Sequence, residues 1–317
     1  MERQHARSDK GRSRMIRAFA TALVLFTTAG AVPPHPSLLD RVRNGQTDLP
    51  YFATRLQEMH EKGICSGKHL FEDKDGRVQA SAMTTAAASG PFRVLAILVQ
   101  FSDHPGATAA SFFDSLMFDS AGRTVADYYS EISYGQIDIV TVNLPSSLGW
   151  RTAPQTYAWY VNGQNGTGSY PQNSQKLTED LVDQVDPIVN FANYDNDANG
   201  YVDVLVIVHS GTGAEYSGSS NDIWSHKWGI TPRLKDGVYI SDYTVQPEFW
   251  SAPGDMTIGV YSHELGHGFG LPDLYDVDYS SNGVGRWCIM SFGSWLGPTG
   301  FGESPAHPCA WSRTQMG

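Results

Sequence analysis

Basic residues are few and, after position 17, unclustered in this sequence: 22 Lys and Arg stand against 33 Asp and Glu, for a net charge of -11. No basic run follows position 17, so there is no face for a polyanion, and neither nucleic acid nor an anionic membrane is an expected partner. After Phe26 no apolar run approaches the ~20 residues that a membrane-spanning helix needs. Cysteine is scarce, and a count of three leaves at least one thiol without an intramolecular partner. What is present suffices for one large domain or two modest ones, since 41% of the 317 residues are hydrophobic.

The chain opens on Arg3, Arg7, Lys10, Arg12, Arg14 and Arg17, passes through the apolar run Ala18 to Phe26, and reaches the small residues Ala29-Gly-Ala31. That is the order of a secretory signal peptide cut after Ala31, from a start at Met1 or Met15; an uncleaved membrane anchor is the competing reading. Pro33, Pro34 and Pro36, a short helical pattern on Leu38, Leu39 and Val42, and the small-residue tract Ser81 to Gly90 follow. They read as a pro-segment with a cleavable exit for an activating protease, or as a plain spacer. The expected division is signal peptide 1–31, pro-segment or linker 32–90, and main domain 91–317.

The stretch Val260-Tyr-Ser-His-Glu-Leu-Gly-His-Gly-Phe-Gly-Leu-Pro-Asp273 carries the chemistry. On a helix, His263 and His267 leave about 40° apart around the axis, so both imidazoles can share one zinc ion. Glu264 lies about 60° from His267, close enough to take a proton from an attacking water but badly placed to be a ligand. Leu265, Phe269, Ile258 and Tyr261 gather on the opposite side, as a helix with its back to a core requires. Gly270 and Pro272 end the helix and turn the chain, which makes Asp273 the candidate third ligand. A bare H-E-x-x-H also occurs on helices that merely expose two histidines. The glycine turn, the returning carboxylate and the methionine segment Trp287-Cys-Ile-Met290 argue for the metal. Removal of the pro-segment takes away Cys65 and leaves Cys288 and Cys309 as a candidate disulfide. Cys65 is then either an unpaired thiol or a latency ligand on the zinc.

The rest of the chain alternates strands and helices. Strands are expected at Arg93 to Phe101, Gln136 to Val142, Val202 to Val208 and Tyr239 to Val245, the last a candidate edge along a cleft; helices are expected at Ala109 to Met117, Thr124 to Ile132 and Ser174 to Val185. The class is therefore mixed α/β, in α+β order, and Thr156 to Tyr170 reads as a long loop. Asp195, Asp197, Asn199, Tyr201 and Asp203 alternate around Gly200, the pattern by which a tight loop wraps calcium. Position twelve would be Val206, where an EF-hand needs Glu, so the choice lies between a calcium loop feeding a strand and a plain Asp/Asn turn. Glu215 or Glu248 would complete the shell. His209 and His226 lack partners at helical spacing and read as packed residues.

The segment His263-Glu-Leu-Gly-His267-Gly-Phe-Gly-Leu-Pro-Asp273-Leu-Tyr-Asp276 resembles the signature of immune inhibitor A-type secreted metallopeptidases, metzincins with Asp as third ligand. The resemblance extends to Leu95–Asp103, Asp127–Gly135, the Asp195–Asp203 loop, His209–Glu215, Ile223–His226 and Ile289-Met290, and so covers about residues 90 to 317. It implies a metzincin-like zincin catalytic domain that cleaves proteins or peptides outside the cell. It implies zinc on His263, His267 and Asp273, Glu264 as catalytic base, and Met290 as the Met-turn residue beneath the metal. Phe292 departs from the pattern: many metzincins have a transition-state tyrosine two residues after the Met-turn methionine, so the stabiliser of the oxyanion is unassigned. Pro308 to Gly317 resembles a helix after which family members continue, which implies a domain incomplete at its C-terminus. The rival readings are a secreted binding module that zinc and calcium merely hold together, and a zinc amidase acting on a non-peptide amide.

Overall fold

The computed structural model describes residues 31–64, 70–72, 78–80 and 90–316. The expected leader up to residue 30, Cys65 and the tract 81–89 lie outside the described residues. Two helices, α1 (Pro36–Arg43) and α2 (Leu56–Glu61), precede a small antiparallel pair, β1 (Leu70–Glu72) and β2 (Val78–Ala80). β3 (Gly90–Arg93) leads into β4 (Leu95–Gln100), whose unbroken apolar run is buried on both faces, as a central parallel strand must be. Then come α3 (Ala110–Phe118), α4 (Val125–Ile132), β5 (Ile137–Val140), α5 (Pro145–Leu148), β6 (Arg151–Thr152) and α6 (Tyr157–Val161). The expected long loop thus begins as a short helix, started by Thr156, whose hydroxyl accepts the Trp159 amide. α7 (Ser174–Val185) fills the range its periodicity predicts, with Asn173 capping the Lys176 amide.

β7 (Leu205–Thr212) starts later than expected and contains His209 rather than leading to it. After α8 (Ala214–Ser217), β8 (His226–Lys235) and β9 (Val238–Phe249) form a hairpin, followed by α9 (Ile258–Gly268) and α10 (Ala310–Met316). The main sheet runs β6-β4-β7-β9-β8, parallel except for β8. The expected edge strand at Tyr239–Val245 is therefore interior, and β8 holds that edge instead. The sequence hides β8 because Gly229 and Pro232 break its alternation; the pairing shifts register between Gly229 and Arg233, and a proline is tolerated at an edge.

His209 lies against Tyr157 of α6, whereas Val204 lies against Gly268 of α9. α4 clamps α9 from outside: the Tyr129 hydroxyl donates to the Ser262 carbonyl at 2.7 Å and its ring meets Phe269 at 5.1 Å. Residues 31–64 belong to the same core: Ala31, Val32, Phe52, Leu56, Met59 and Ile64 are buried in one cluster with β4 and β7. Phe52 stacks on Trp224, the Phe52 amide donates to Asn165, and the Trp228 indole donates to the Lys62 carbonyl. Among the described residues no helix is long and apolar enough to cross a membrane.

Candidate metal centre and cleft

α9 is buried on every side, not only along its apolar back, and Val32 reaches Glu264 upon it. Its C-terminus is closed by two bonds, Gly270 N to His267 O at 3.0 Å and Leu271 N to Gly266 O at 3.1 Å, with Gly270 at a φ of +82°. This is the Schellman geometry, which glycine adopts without strain. It turns the chain so that Asp273 faces the two histidines: His263 Nε2 is 3.0 Å from Asp273 Oδ1, and His267 Nε2 is 3.3 Å from Oδ2.

The Nδ1 atoms are already committed, His263 to the Ile289 carbonyl at 2.8 Å and His267 to the Leu271 carbonyl at 2.7 Å. A carbonyl accepts only, so each Nδ1 carries the hydrogen and each neutral ring turns an Nε2 lone pair toward Asp273. Both Nε2 atoms and both Asp273 oxygens are buried without a hydrogen-bond partner. Four lone-pair donors facing one point repel unless a cation sits among them, and two imidazoles with a carboxylate are a zinc-type set, so the residues fit that metal. Burial lowers the His263 pKa, but Asp273 and then Glu264 outweigh it and raise it; burial raises Asp273, but His267 and His263 bring it below its ordinary value.

Glu264 projects from the same helix with its carboxyl pKa lifted, first by burial, and its Oε2 without a partner. Its Oε1 accepts the Val32 amide at 3.1 Å. The preceding carbonyl, Ala31 O, accepts the Tyr275 hydroxyl at 2.6 Å, and the Ala31 amide donates back to that hydroxyl. Farther along, the Trp224 indole donates to Val32 O and the Trp295 indole to Pro33 O. His35 inserts its ring among Tyr216, Trp295 and Phe301. Residues 31–35 thus lie against the site, held through the backbone groups of Ala31, Val32 and Pro33 and the ring of His35. Tyr275, Trp224 and Trp295 have no role assignable from sequence, because isolated aromatic residues outside a periodic pattern give no signal of what they face.

Met290 is fully buried; its carbonyl accepts the Leu274 amide at 2.7 Å, and its sulfur lies against Gly266. Cys288 and Cys309 are free but adjacent, with the Cys309 amide donating to Cys288 Sγ at 3.2 Å. A second cluster brings carboxylate oxygens of Asp195, Asp197 and Asp203 within 4.8 Å of one another. Asp203 Oδ1 there is buried and unpartnered, and the carboxyl is pushed up to about 6, first by burial. Asn199 turns its oxygen to the Tyr201 amide, and the Tyr201 ring stacks on Tyr239. Glu215 and Glu248 do not join this cluster: Glu215 accepts from Ser225, and Glu248 from the amides of Ala107, Thr108 and Gly211. His209 and His226 are buried with their Nδ1 atoms on backbone carbonyls and belong to neither cluster.

Residues 109–317, about two thirds of the chain, match the model of the immune inhibitor A peptidase M6 catalytic domain. The chain is 28% identical over 278 residues to the pre-pro-metalloprotease PrtV of Vibrio cholerae serotype O1 (strain M66-2), and 29% identical over 284 residues to immune inhibitor A of Bacillus thuringiensis subsp. alesti. Each match covers 70% of this chain but only 29% and 40% of those relatives, so the chain spans well under half of their length.

Proposed function

The chain belongs to the immune inhibitor A peptidase family M6, and on that footing we propose that it is a secreted, zinc-dependent endopeptidase acting on proteins or peptides. The observation that carries the reading is the convergence of orphaned lone pairs on His263, His267 and Asp273 beside a buried carboxylate with one free oxygen. Zinc held by these three residues would polarise the substrate carbonyl and acidify the attacking water. Glu264 takes the proton of that water and passes it to the leaving amine, and its raised pKa suits both halves of the transfer. Support for the second half lies in Glu264 Oε1, which already holds a peptide N–H. Met290 forms the floor under the ligands.

The remaining assignments follow the same logic. Residues 1–31 act as the signal peptide and residues 32–90 as the pro-segment, whose first residues fill the cleft and keep the protein latent. Calcium is the second cation, on Asp195, Asp197 and Asp203, with the unpartnered Asp203 oxygen as its support. In an oxidising exterior, Cys288 and Cys309 would lose two protons and two electrons to an oxidised dithiol or disulfide and pair.

Replacing Glu264 by Gln tests the mechanism. Metal analysis should still find one zinc per chain, while hydrolysis of casein falls by about 10²- to 10⁴-fold, the range of a lost general base. Undiminished hydrolysis would overturn the assignment.

A further inference from the structure

One peptide group is gripped from both sides in this cleft. In a trans peptide the carbonyl oxygen and the amide hydrogen point in opposite directions. The Ala31–Val32 bond presents its oxygen to the Tyr275 hydroxyl at 2.6 Å and its N–H to Glu264 Oε1 at 3.1 Å. Glu264 is the group that must meet the leaving nitrogen, so the residue opposite it stands where the reacting carbonyl oxygen belongs. That residue is Tyr275.

Its surroundings hold it there. Tyr275 is 4% exposed, and its ring meets Phe292 edge-on at 6.3 Å. Two residues upstream Asp273 faces the histidines, and one residue upstream the Leu274 amide is bonded to the Met290 carbonyl. The hydroxyl is thus carried on a segment fixed to the metal ligands on one side and to the methionine turn on the other. Phe292, two residues after Met290, has no hydroxyl to offer; Tyr275 reaches the same cleft from the neighbouring segment and has one.

We propose that Tyr275 is the oxyanion-stabilising residue of this peptidase. Its O–H donates to the carbonyl oxygen of the scissile bond and strengthens that bond as negative charge grows there. It gives up no proton. The bond formed is water oxygen to carbonyl carbon, the bond broken is carbonyl carbon to nitrogen, and the proton lost by water reaches the amine through Glu264. This assignment rests on the peptidase reading above.

The test uses the secreted, processed protein with its zinc, comparing the parent with Tyr275→Phe and Glu264→Gln. Tyr275→Phe keeps the ring that packs on Phe292 and removes one oxygen. Its kcat on an internally quenched peptide should fall about 10²- to 10³-fold, the loss found when one oxyanion donor is removed, with KM changed less than about threefold. The inhibition constant of a phosphinic peptide, which mimics the tetrahedral state, should rise in proportion. Binding of an amine-terminated product peptide should not change. Parent-like kcat in Tyr275→Phe beside an inactive Glu264→Gln overturns the role of Tyr275 and leaves the peptidase reading intact; an active Glu264→Gln overturns the reading itself. Equal losses of product and phosphinic-peptide affinity would mark Tyr275 as a packing residue and also overturn the inference. If Tyr275→Phe fails to keep its zinc, a crystal structure of the parent with the phosphinic peptide decides. The Tyr275 hydroxyl within about 3 Å of a phosphinyl oxygen supports the proposal, and a separation beyond about 4 Å overturns it.

Discussion

Single residues in this molecule are set by what their environment leaves them to bond. Glu215 illustrates the point, because its carboxyl is fully buried near Glu264 and yet, among the described residues, keeps only Ser225 as a side-chain partner. Burial pushes it up to about 7, against bonds from Ser225 that pull it down, while the charge of Glu264 pushes the same way as burial. A carboxyl whose folded pKa lies above its unfolded value holds its proton more tightly in the folded state. Its contribution to stability is therefore present below the unfolded pKa and is lost as pH rises through about 7. Glu215→Gln removes this titration. Relative to the parent, the variant should gain about 3 kcal/mol of unfolding free energy between pH 4.5 and pH 8, read from urea transitions at both values. His209 and His226, pushed down to about 3 and 4 by burial, destabilise both proteins equally in acid and cancel from the difference. A difference independent of pH would show that Glu215 does not titrate as its burial demands.

Among the elements, α9 is where packing and chemistry meet, and its glycines are the cost of that closeness. A Cβ on Gly259 would run into the Ser294 carbonyl and come within 2.8 Å of Gly302 Cα, both backbone. One on Gly266 would meet the sulfur of Met290 at 2.7 Å, a flexible side chain that can yield. Gly259→Ala should therefore destabilise by about 1–3 kcal/mol, and Gly266→Ala by less, in the same urea assay. The reverse order would mean that the 292–302 backbone gives way more easily than Met290. The helix itself was legible in the sequence, because its spacing, its glycine stop and its returning aspartate are local signals. β4 and α7 were legible for the same reason, being a continuous apolar run and a regular 3.6-residue pattern. β8 was not, since an edge strand with Gly229, Pro232 and a register shift shows no period. Nor was the docking of residues 31–35. Their hold on the cleft runs through backbone groups of Ala31, Val32 and Pro33, and backbone groups are the same in any sequence. Tyr275 escaped because its role depends on which peptide group lies opposite, a fact of tertiary structure alone.

At the scale of the whole molecule, the main consequence is that the segment before residue 65 and the site it covers form one packed unit. Ala31 and Val32 are fully buried against Tyr275 and Glu264, α1 is tied by Arg41 to the Tyr216 and Ser217 carbonyls, and Lys62 is tied through its carbonyl to Trp228. A substrate processed as proposed would need the Glu264 oxygen that Val32 holds, so segment and substrate would exclude each other. Because the segment is covalently attached, its effective concentration at the cleft exceeds that of any ordinary substrate, and occupancy persists until the tether is cut. Limited proteolysis within residues 65–89, where the chain joins α2 to β3, should convert a latent protein into an active one. Uncut protein is expected to turn over a short quenched peptide at less than about a tenth of the rate of the cut form once the released segment is diluted away. Adding back a synthetic 32–64 peptide should restore inhibition, competitively with substrate. Equal rates before and after cutting would mean that residues 32–36 leave the site freely, and the contacts of Val32 and Pro33 with Glu264, Trp224 and Trp295 would then not account for latency.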